Sequence, residues 1–281
     1  MTGISVSKGR LFAFGCSFTN YWWATWPQIL AKQFGYQLYN YGRPGAGNLF
    51  IFNHIIQADQ FYRFNSDDIV AVCWTNVCRE DRYVNRQWHT GGNIFTNPDI
   101  TPDWIKQYGD PQGYKIRDFA LIHAVHDYLA NRNCQRFYFS ICDLAGRIDQ
   151  FAESNQLKPP AVDLYQQTLS EISPSFYDVL WQDDLNKKYQ SDINLISKKF
   201  VDGHPSPQES LQYLCNVMNI KFTDEVINEV SESQNNWKNI LRKFSEECTF
   251  KNCRINQMSI SQLNEIDSST RIWPEHHIKC L

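Results

Sequence analysis

Short apolar runs recur along the first half of the chain, and each ends in glycine or in polar residues. The runs at 11–15, 36–41, 68–74 and 136–141 are rich in aliphatic and aromatic residues and predict buried strands. The segments between them have apolar residues at helical spacing. This alternation predicts an α/β fold with three layers, in which a parallel sheet lies between two layers of helices.

Two helix starts are marked by capping residues. Thr25 with Gln28, and Ser206 with Glu209, each have the spacing of a capping box, and a proline occupies the first turn of both helices. Gly35 predicts the end of the first of these helices. Further helices are expected over 49–61, 116–129 and about 224–244.

The remaining segments predict insertions and an extension around one main domain. Residues 79–113 lack a clear period and predict an irregular excursion, and 144–199 predict inserted helices and loops. We expect an α/β domain over 1–220 and a mainly helical, partly irregular extension over 221–281. No internal repeat of fixed period is present in the sequence.

Composition narrows the class of protein. The chain has 281 residues, of which 42% are hydrophobic, and a net charge of -3, so it predicts a sizeable core and no nucleic-acid partner. Its N-terminus lacks the apolar run of a signal peptide or membrane anchor. The nine cysteines form no C-x-x-C pair and are expected to be reduced thiols. Together these features predict a cytoplasmic protein with no membrane partner; the oligomeric state stays open.

Four polar motifs lie where the predicted strands end or the last helix begins. They are Gly15-Cys16-Ser17-Phe18-Thr19, Gly42-Arg43-Pro44-Gly45-Ala46-Gly47-Asn48, Trp74-Thr75-Asn76 and Asp202-Gly203-His204-Pro205. In order and placement these motifs resemble the four blocks of the SGNH (GDSL) hydrolases, a superfamily of α/β esterases and acyltransferases. The resemblance implies that the parallel sheet is flavodoxin-like. Two positions depart from the family pattern, since Cys16 and Trp74 stand where Asp and Gly are usual.

The resemblance implies a role for each motif. Ser17 would be the nucleophile and His204 its base, because imidazole can accept and return a proton near neutral pH. The oxyanion would be held by the N–H groups of Ser17 and Gly45 and by the side-chain amide of Asn76. Gly47 remains the alternative to Gly45 for the second donor.

The acid that orients the histidine is less clearly marked. Asp202 precedes His204 by two residues, whereas the family's aspartate precedes its histidine by three. Either the loop is tighter here and Asp202 accepts the second ring N–H, or a backbone carbonyl does so and Asp202 is secondary.

Residues beside these motifs are candidates for binding substrate. Gly47, Asn48 and Arg79 are expected to contact it, although the charged run 79–82 also fits a solvated set of ion pairs. The spacing of His123 and His126 lacks the carboxylate or cysteine partners of a metal site. We therefore expect no metal and no organic cofactor.

The sequence thus predicts a serine esterase that cleaves a small acyl ester through an acyl-enzyme on Ser17. An O-acetyl group on a carbohydrate is one expected substrate, because tryptophans that are able to stack on sugar rings lie near the motifs: Trp22, Trp23, Trp88 and Trp104. Core filling explains those tryptophans equally well. An acyltransferase on the same scaffold and a non-catalytic carbohydrate-binding or assembly module are the alternatives.

Overall fold

The structure is a computed structural model that describes residues 9–97, 99–145, 160–184, 186–188, 190 and 203–247. Its strands are β1 (Arg10–Gly15), β2 (Gln37–Gly42), β3 (Asp68–Trp74), β4 (Arg79–Val84), β5 (Gln87–Asn93) and β6 (Gln135–Ser140). Its helices are α1 (Trp26–Phe34), α2 (Asn48–Tyr62), α3 (Pro102–Tyr108), α4 (Pro111–Ala130), α5 (Pro160–Leu164), α6 (Gln166–Ser170), α7 (Phe176–Trp181), α8 (Pro207–Met218) and α9 (Asp224–Glu247).

Four of the strands form one parallel sheet in the order β2-β1-β3-β6. The predicted strands agree with these four to within one residue at each end. β1 lies between β2 and β3, so the loops that leave these three strands emerge side by side at the carboxyl edge of the sheet. In open α/β sheets this edge is where ligands bind.

Successive side chains of the strands enter two separate cores, as the two-residue period of a strand requires. Leu11 and Ala13 of β1 face a core that is completed by α1, α7, α8 and α9. Phe12 and Phe14 of the same strand face a second core that is completed by α2 and α4. The fold is therefore three-layered, with the sheet between two layers of helices.

The capping predictions for α1 and α8 are confirmed. Both helices have the capping box, and Gly35 ends α1 in the left-handed conformation with a φ of 67°. Helix α4 begins five residues earlier than expected, at Pro111, because the Asp110 side chain accepts a hydrogen bond from the N–H of Gln112 and caps it.

The prediction of an irregular excursion over 79–113 is wrong. β4 and β5 pair as an antiparallel hairpin, and α3 follows them. The two residues between the strands, Asn85 and Arg86, both have positive φ, as a type I′ turn requires. An Asn-Arg pair lacks the glycine that usually marks such a turn in a sequence.

Helix α9 packs against α8 and α1. Its residues Val226 and Val230 are buried in the same core as Leu30 of α1.

No helix in the described part of the chain is both long and apolar enough to cross a membrane.

Candidate active site

Ser17 lies in a tight turn directly after β1. The N–H groups of Thr19 and Asn20 both donate to the carbonyl oxygen of Cys16, at 3.0 and 3.2 Å, and so close the turn around Ser17. The residue is 8% exposed. Its Oγ lies 2.8 Å from Nε2 of His204, although 187 positions separate the two residues in the sequence. The structure thus places a hydroxyl within hydrogen-bonding distance of an imidazole.

The His204 ring is held by aromatic side chains. Its ring stacks on Tyr21 with centroids 3.7 Å apart and planes at 20°, and Phe18 approaches to 5.3 Å. The next residue, Pro205, accepts a hydrogen bond of 2.7 Å from the indole N–H of the buried Trp23. These contacts restrict both the ring and the backbone of the loop that carries His204.

The start of α8 anchors the same loop. Glu209 accepts hydrogen bonds from the N–H of Ser206, from the indole N–H of Trp181 and from the ammonium group of Lys188. The side chain of Lys188 is fully buried and its nitrogen lies 5.8 Å from the ring centres of Trp181 and Trp237. The capping box is visible in the sequence but this buried ion pair is not, because nothing local marks Lys188 as a partner of Glu209.

Gly45 lies in the loop after β2 and has a conformation that requires glycine. Its φ is +78°, and a Cβ at this position would lie 2.5 Å from the carbonyl oxygen of Thr90 in β5. The Gly45 carbonyl accepts a hydrogen bond of 2.9 Å from the N–H of Gly92. In the described chain, the N–H groups of Gly45 and Ser17 donate to no protein acceptor, so both are free to donate to a ligand.

Asn76 follows β3 on the other side of β1. Its Oδ1 accepts hydrogen bonds from Nε of Arg79 at 2.5 Å and from the hydroxyl of Thr75 at 3.3 Å. Nη1 of Arg79 donates to the carbonyl oxygen of Ala46 at 2.9 Å. Arg79 therefore joins the loop after β3 to the loop after β2.

The Gly47 N–H has a protein acceptor. It donates to Oδ1 of Asp81 at 2.8 Å, and the N–H of Phe50 donates to Oδ2 of the same carboxylate at 2.9 Å. Asp81 is buried and caps the start of α2, so the solvated ion-pair interpretation of 79–82 is wrong for this residue. Between the two candidate glycines, the geometry favours Gly45 as an oxyanion donor.

Asn48 is fully buried and bonds within the protein. Its side chain exchanges two hydrogen bonds with the backbone of Thr75, at 3.0 and 3.1 Å, and donates to Asp118 at 3.0 Å. Both amide hydrogens are thereby used. The geometry gives Asn48 a structural role in tying α2 to the loop after β3, and offers a substrate no donor from it.

Burial has a marked effect on Asp118 itself. It raises the pKa of this carboxyl to about 6, although Arg117 and the Asn48 amide both favour the ionised form.

Asp202, the candidate acid for His204, lies outside the described residues.

The hairpin β4–β5 and α3 border a cavity of about 320 Å³. Its lining includes Glu80, Arg82, His89 and Trp104, and Ser17 does not line it. Of the other tryptophans near the motifs, Trp23 is fully buried and serves the core.

The two histidines of α4 have structural partners. Nδ1 of His123 lies 2.8 Å from the Thr168 hydroxyl, and Nδ1 of His126 lies 3.2 Å from the Glu171 carboxylate. Both contacts tie α4 to the region of α6. Across the residues that the structure describes, no group of three or more His, Cys, Asp or Glu side chains is arranged to hold a metal ion.

Comparison with known proteins gives little further information. No protein-family model matches the chain, and no curated protein matches it. Six chains of known structure match. One is a catalytic mutant of an acetylxylan esterase from Geobacillus stearothermophilus, with a TM-score of 0.34 and 11% identity over 74% of this chain and 94% of that one. At this TM-score the likeness assigns neither a fold nor a function.

Proposed function

We propose that this protein is a serine hydrolase of the SGNH type that cleaves carboxylic esters. The observation that carries the proposal is the 2.8 Å contact between Oγ of Ser17 and Nε2 of His204 at the carboxyl edge of the sheet. A serine hydroxyl becomes a useful nucleophile when a neighbouring base accepts its proton, and this contact supplies the base.

The reaction runs in two halves. As Ser17 Oγ attacks the ester carbonyl carbon, its proton passes to Nε2 of His204, and the protonated imidazole then gives that proton to the departing alcohol. The product of this half is an acyl-enzyme on Ser17. Water then repeats the sequence with His204 as base, which releases the carboxylic acid and restores the serine.

Three donors suit the oxyanion that forms in each half. The N–H groups of Ser17 and Gly45 and the Nδ2 group of Asn76 come from the loops after three neighbouring strands, and none of them is used inside the described protein. Donors that are fixed before the reaction stabilise the developing charge without further reorganisation.

A small acyl group suits this serine. Ser17 is 8% exposed, and Phe18 and Tyr21 beside it are 4% and 7% exposed, so bulky rings restrict the space around the hydroxyl. An acetyl ester is the simplest substrate of this kind, and an O-acetyl group on a carbohydrate is the natural form we propose. Asp202 remains our candidate for orienting His204.

Hydrolysis of p-nitrophenyl acetate tests the proposal. We expect the wild-type protein to release nitrophenolate continuously and the Ser17→Ala and His204→Ala variants to lose at least about 1000-fold in kcat. Cys16→Ala is the matched control: the Cys16 side chain is buried next to Ser17 and takes no part in the proposed reaction, so we expect this variant to keep most of its activity. Equal rates for wild type and Ser17→Ala would contradict the proposal.

The same assay with a sugar alcohol added as acceptor separates a hydrolase from an acyltransferase. A hydrolase forms acetate as its main product, whereas a transferase forms the acetylated alcohol. A folded wild-type protein without turnover would instead favour the non-catalytic binding module.

A further inference from the structure

We infer that Arg79 is a positioning residue for the oxyanion hole, an inference that rests on the proposed function. Its guanidinium group contacts Asn76 on one side and Ala46 on the other, so it sets the orientation of one donor relative to the loop that carries another. In this role Arg79 acts on the two donors through its neighbours.

The Asn76 side-chain amide is oriented by Arg79 and Thr75. A guanidinium group has only donors, so the amide atom that faces Nε of Arg79 must be the oxygen. The Thr75 hydroxyl donates to the same oxygen. With Oδ1 held from two sides, the NH₂ group is directed away from Arg79, as an oxyanion donor requires. A rotated amide would present its oxygen to the developing negative charge and oppose it.

Arg79 also contacts the loop after β2. Ala46 follows Gly45 directly, and its carbonyl oxygen accepts the Nη1 hydrogen bond of Arg79 at 2.9 Å. The Gly45 carbonyl is in turn fixed by Gly92 of β5. Arg79 therefore sets the spacing between the Asn76 amide and the Gly45 N–H, since one rigid planar group contacts both loops.

Arg79 itself lies at the start of β4, where its backbone is held in place. Its carbonyl oxygen accepts a hydrogen bond of 2.9 Å from Nη2 of Arg117, and Arg117 also pairs with the buried Asp118 at 2.7 Å. Asp118 accepts from Asn48, which is bonded to Thr75. A closed set of contacts thus holds the backbone from which the Arg79 side chain extends.

A double-mutant cycle between Arg79→Met and Asn76→Ala tests the inference, with kcat and KM measured on p-nitrophenyl acetate. We expect Asn76→Ala to lower kcat by about 100-fold or more and Arg79→Met to lower it by about 10- to 100-fold. KM should change by less than about threefold in each variant, because ground-state binding is not affected.

The decisive comparison is the effect of Arg79→Met once Asn76 has already been replaced. If Arg79 acts through Asn76, its factor shrinks to about threefold or less in the Asn76→Ala background, and the remainder reflects the contact with Ala46. The same factor in both backgrounds overturns the inference. If the wild-type protein shows no turnover that depends on Ser17, the proposed function is wrong, and this inference is wrong with it.

Two further variants exclude a merely structural role. Arg82→Met removes the same charge from β4 without contact with Asn76 or Ala46 and should keep kcat within about twofold. Arg79→Lys keeps the charge but cannot bridge both acceptors with one planar group. Its kcat should therefore fall, whereas its Tm should equal that of the wild type. If neither Arg79 variant folds while Asn76→Ala does, Arg79 is structural and the inference is wrong.

Discussion

Single residues after strands β1, β2 and β3 carry the proposed chemistry, and their positions were accessible from the sequence. Ser17, Gly45 and Asn76 each follow an apolar run, and parallel strands bring such positions to one edge. Arg79 and Asp81 were not accessible in this way. They lie in a run of four charged residues, and the sequence does not show that Arg79 contacts Asn76 and Ala46 or that Asp81 accepts from the start of α2.

At the residue scale, we predict that Gly45→Ala impairs activity more than its backbone strain alone explains. Alanine at a φ of +78° costs about 1 kcal/mol, and its Cβ would also lie 2.5 Å from a backbone oxygen of β5. The loop must therefore move away from the hairpin. We expect kcat to fall by at least about 10-fold, measured on p-nitrophenyl acetate.

Gly35→Ala is the matched control for this variant. Gly35 has a φ of +67°, but its Cβ would meet no atom within 4 Å. Gly35→Ala should therefore lower the free energy of unfolding in urea by a similar amount and keep its activity. Equal activity losses in the two variants would show that the contact with β5 does not matter.

At the scale of whole elements, the strands and capped helices were predictable because their signals are local. Capping residues and apolar runs lie within a few positions of the element that they define, as with Ser206 and Glu209 in α8. The hairpin β4–β5 was missed because its strands are polar and its turn contains no glycine. The second role of Glu209, as partner of Lys188, depends on a residue 21 positions away.

We predict that Glu209→Ala destabilises the fold by about 3 kcal/mol or more, because it removes the carboxylate that pairs with a fully buried lysine side chain. It also removes one half of the capping box of α8. The measurement is the free energy of unfolding in urea. Combining it with Lys188→Met should restore part of the loss, since the buried charge is then absent; a further loss in the double variant would argue against this ion pair.

At the scale of the whole molecule, the three layers follow from the period of the strands, but the position of α9 does not. Its apolar positions predict a helix, whereas its partners α1 and α8 are distant in the sequence and are identified only by the fold. The same holds for buried titratable groups. Asp118 and His126 both lie on α4, and the sequence does not show that packing buries either of them.

These two groups make opposite contributions to the pH dependence of stability. Burial raises the pKa of Asp118 to about 6, so its contribution to stability falls as pH rises from about 4 to 6, where only the unfolded state ionises. Burial lowers the pKa of His126 to about 4, so its contribution rises with pH over a similar range. The two contributions partly offset each other in the wild type.

We predict that Asp118→Asn becomes more stable relative to the wild type as pH rises from 4 to 6, by at most about 1.4 kcal/mol per pH unit. Urea unfolding of both proteins at pH 4, 5 and 6 measures this difference, and His126 contributes equally to both. A difference that stays constant with pH would mean that Asp118 is ionised throughout this range.

The central claim is that the Ser17 hydroxyl is activated by His204, and covalent labelling by a fluorophosphonate tests it most directly. Such a probe reacts with an activated serine and adds a fixed mass, which intact-protein mass spectrometry detects. We predict one label on the wild-type protein, on Ser17, no label on Ser17→Ala and much slower labelling of His204→Ala. An unlabelled wild-type protein that is folded, or equal labelling of wild type and Ser17→Ala, would contradict the account.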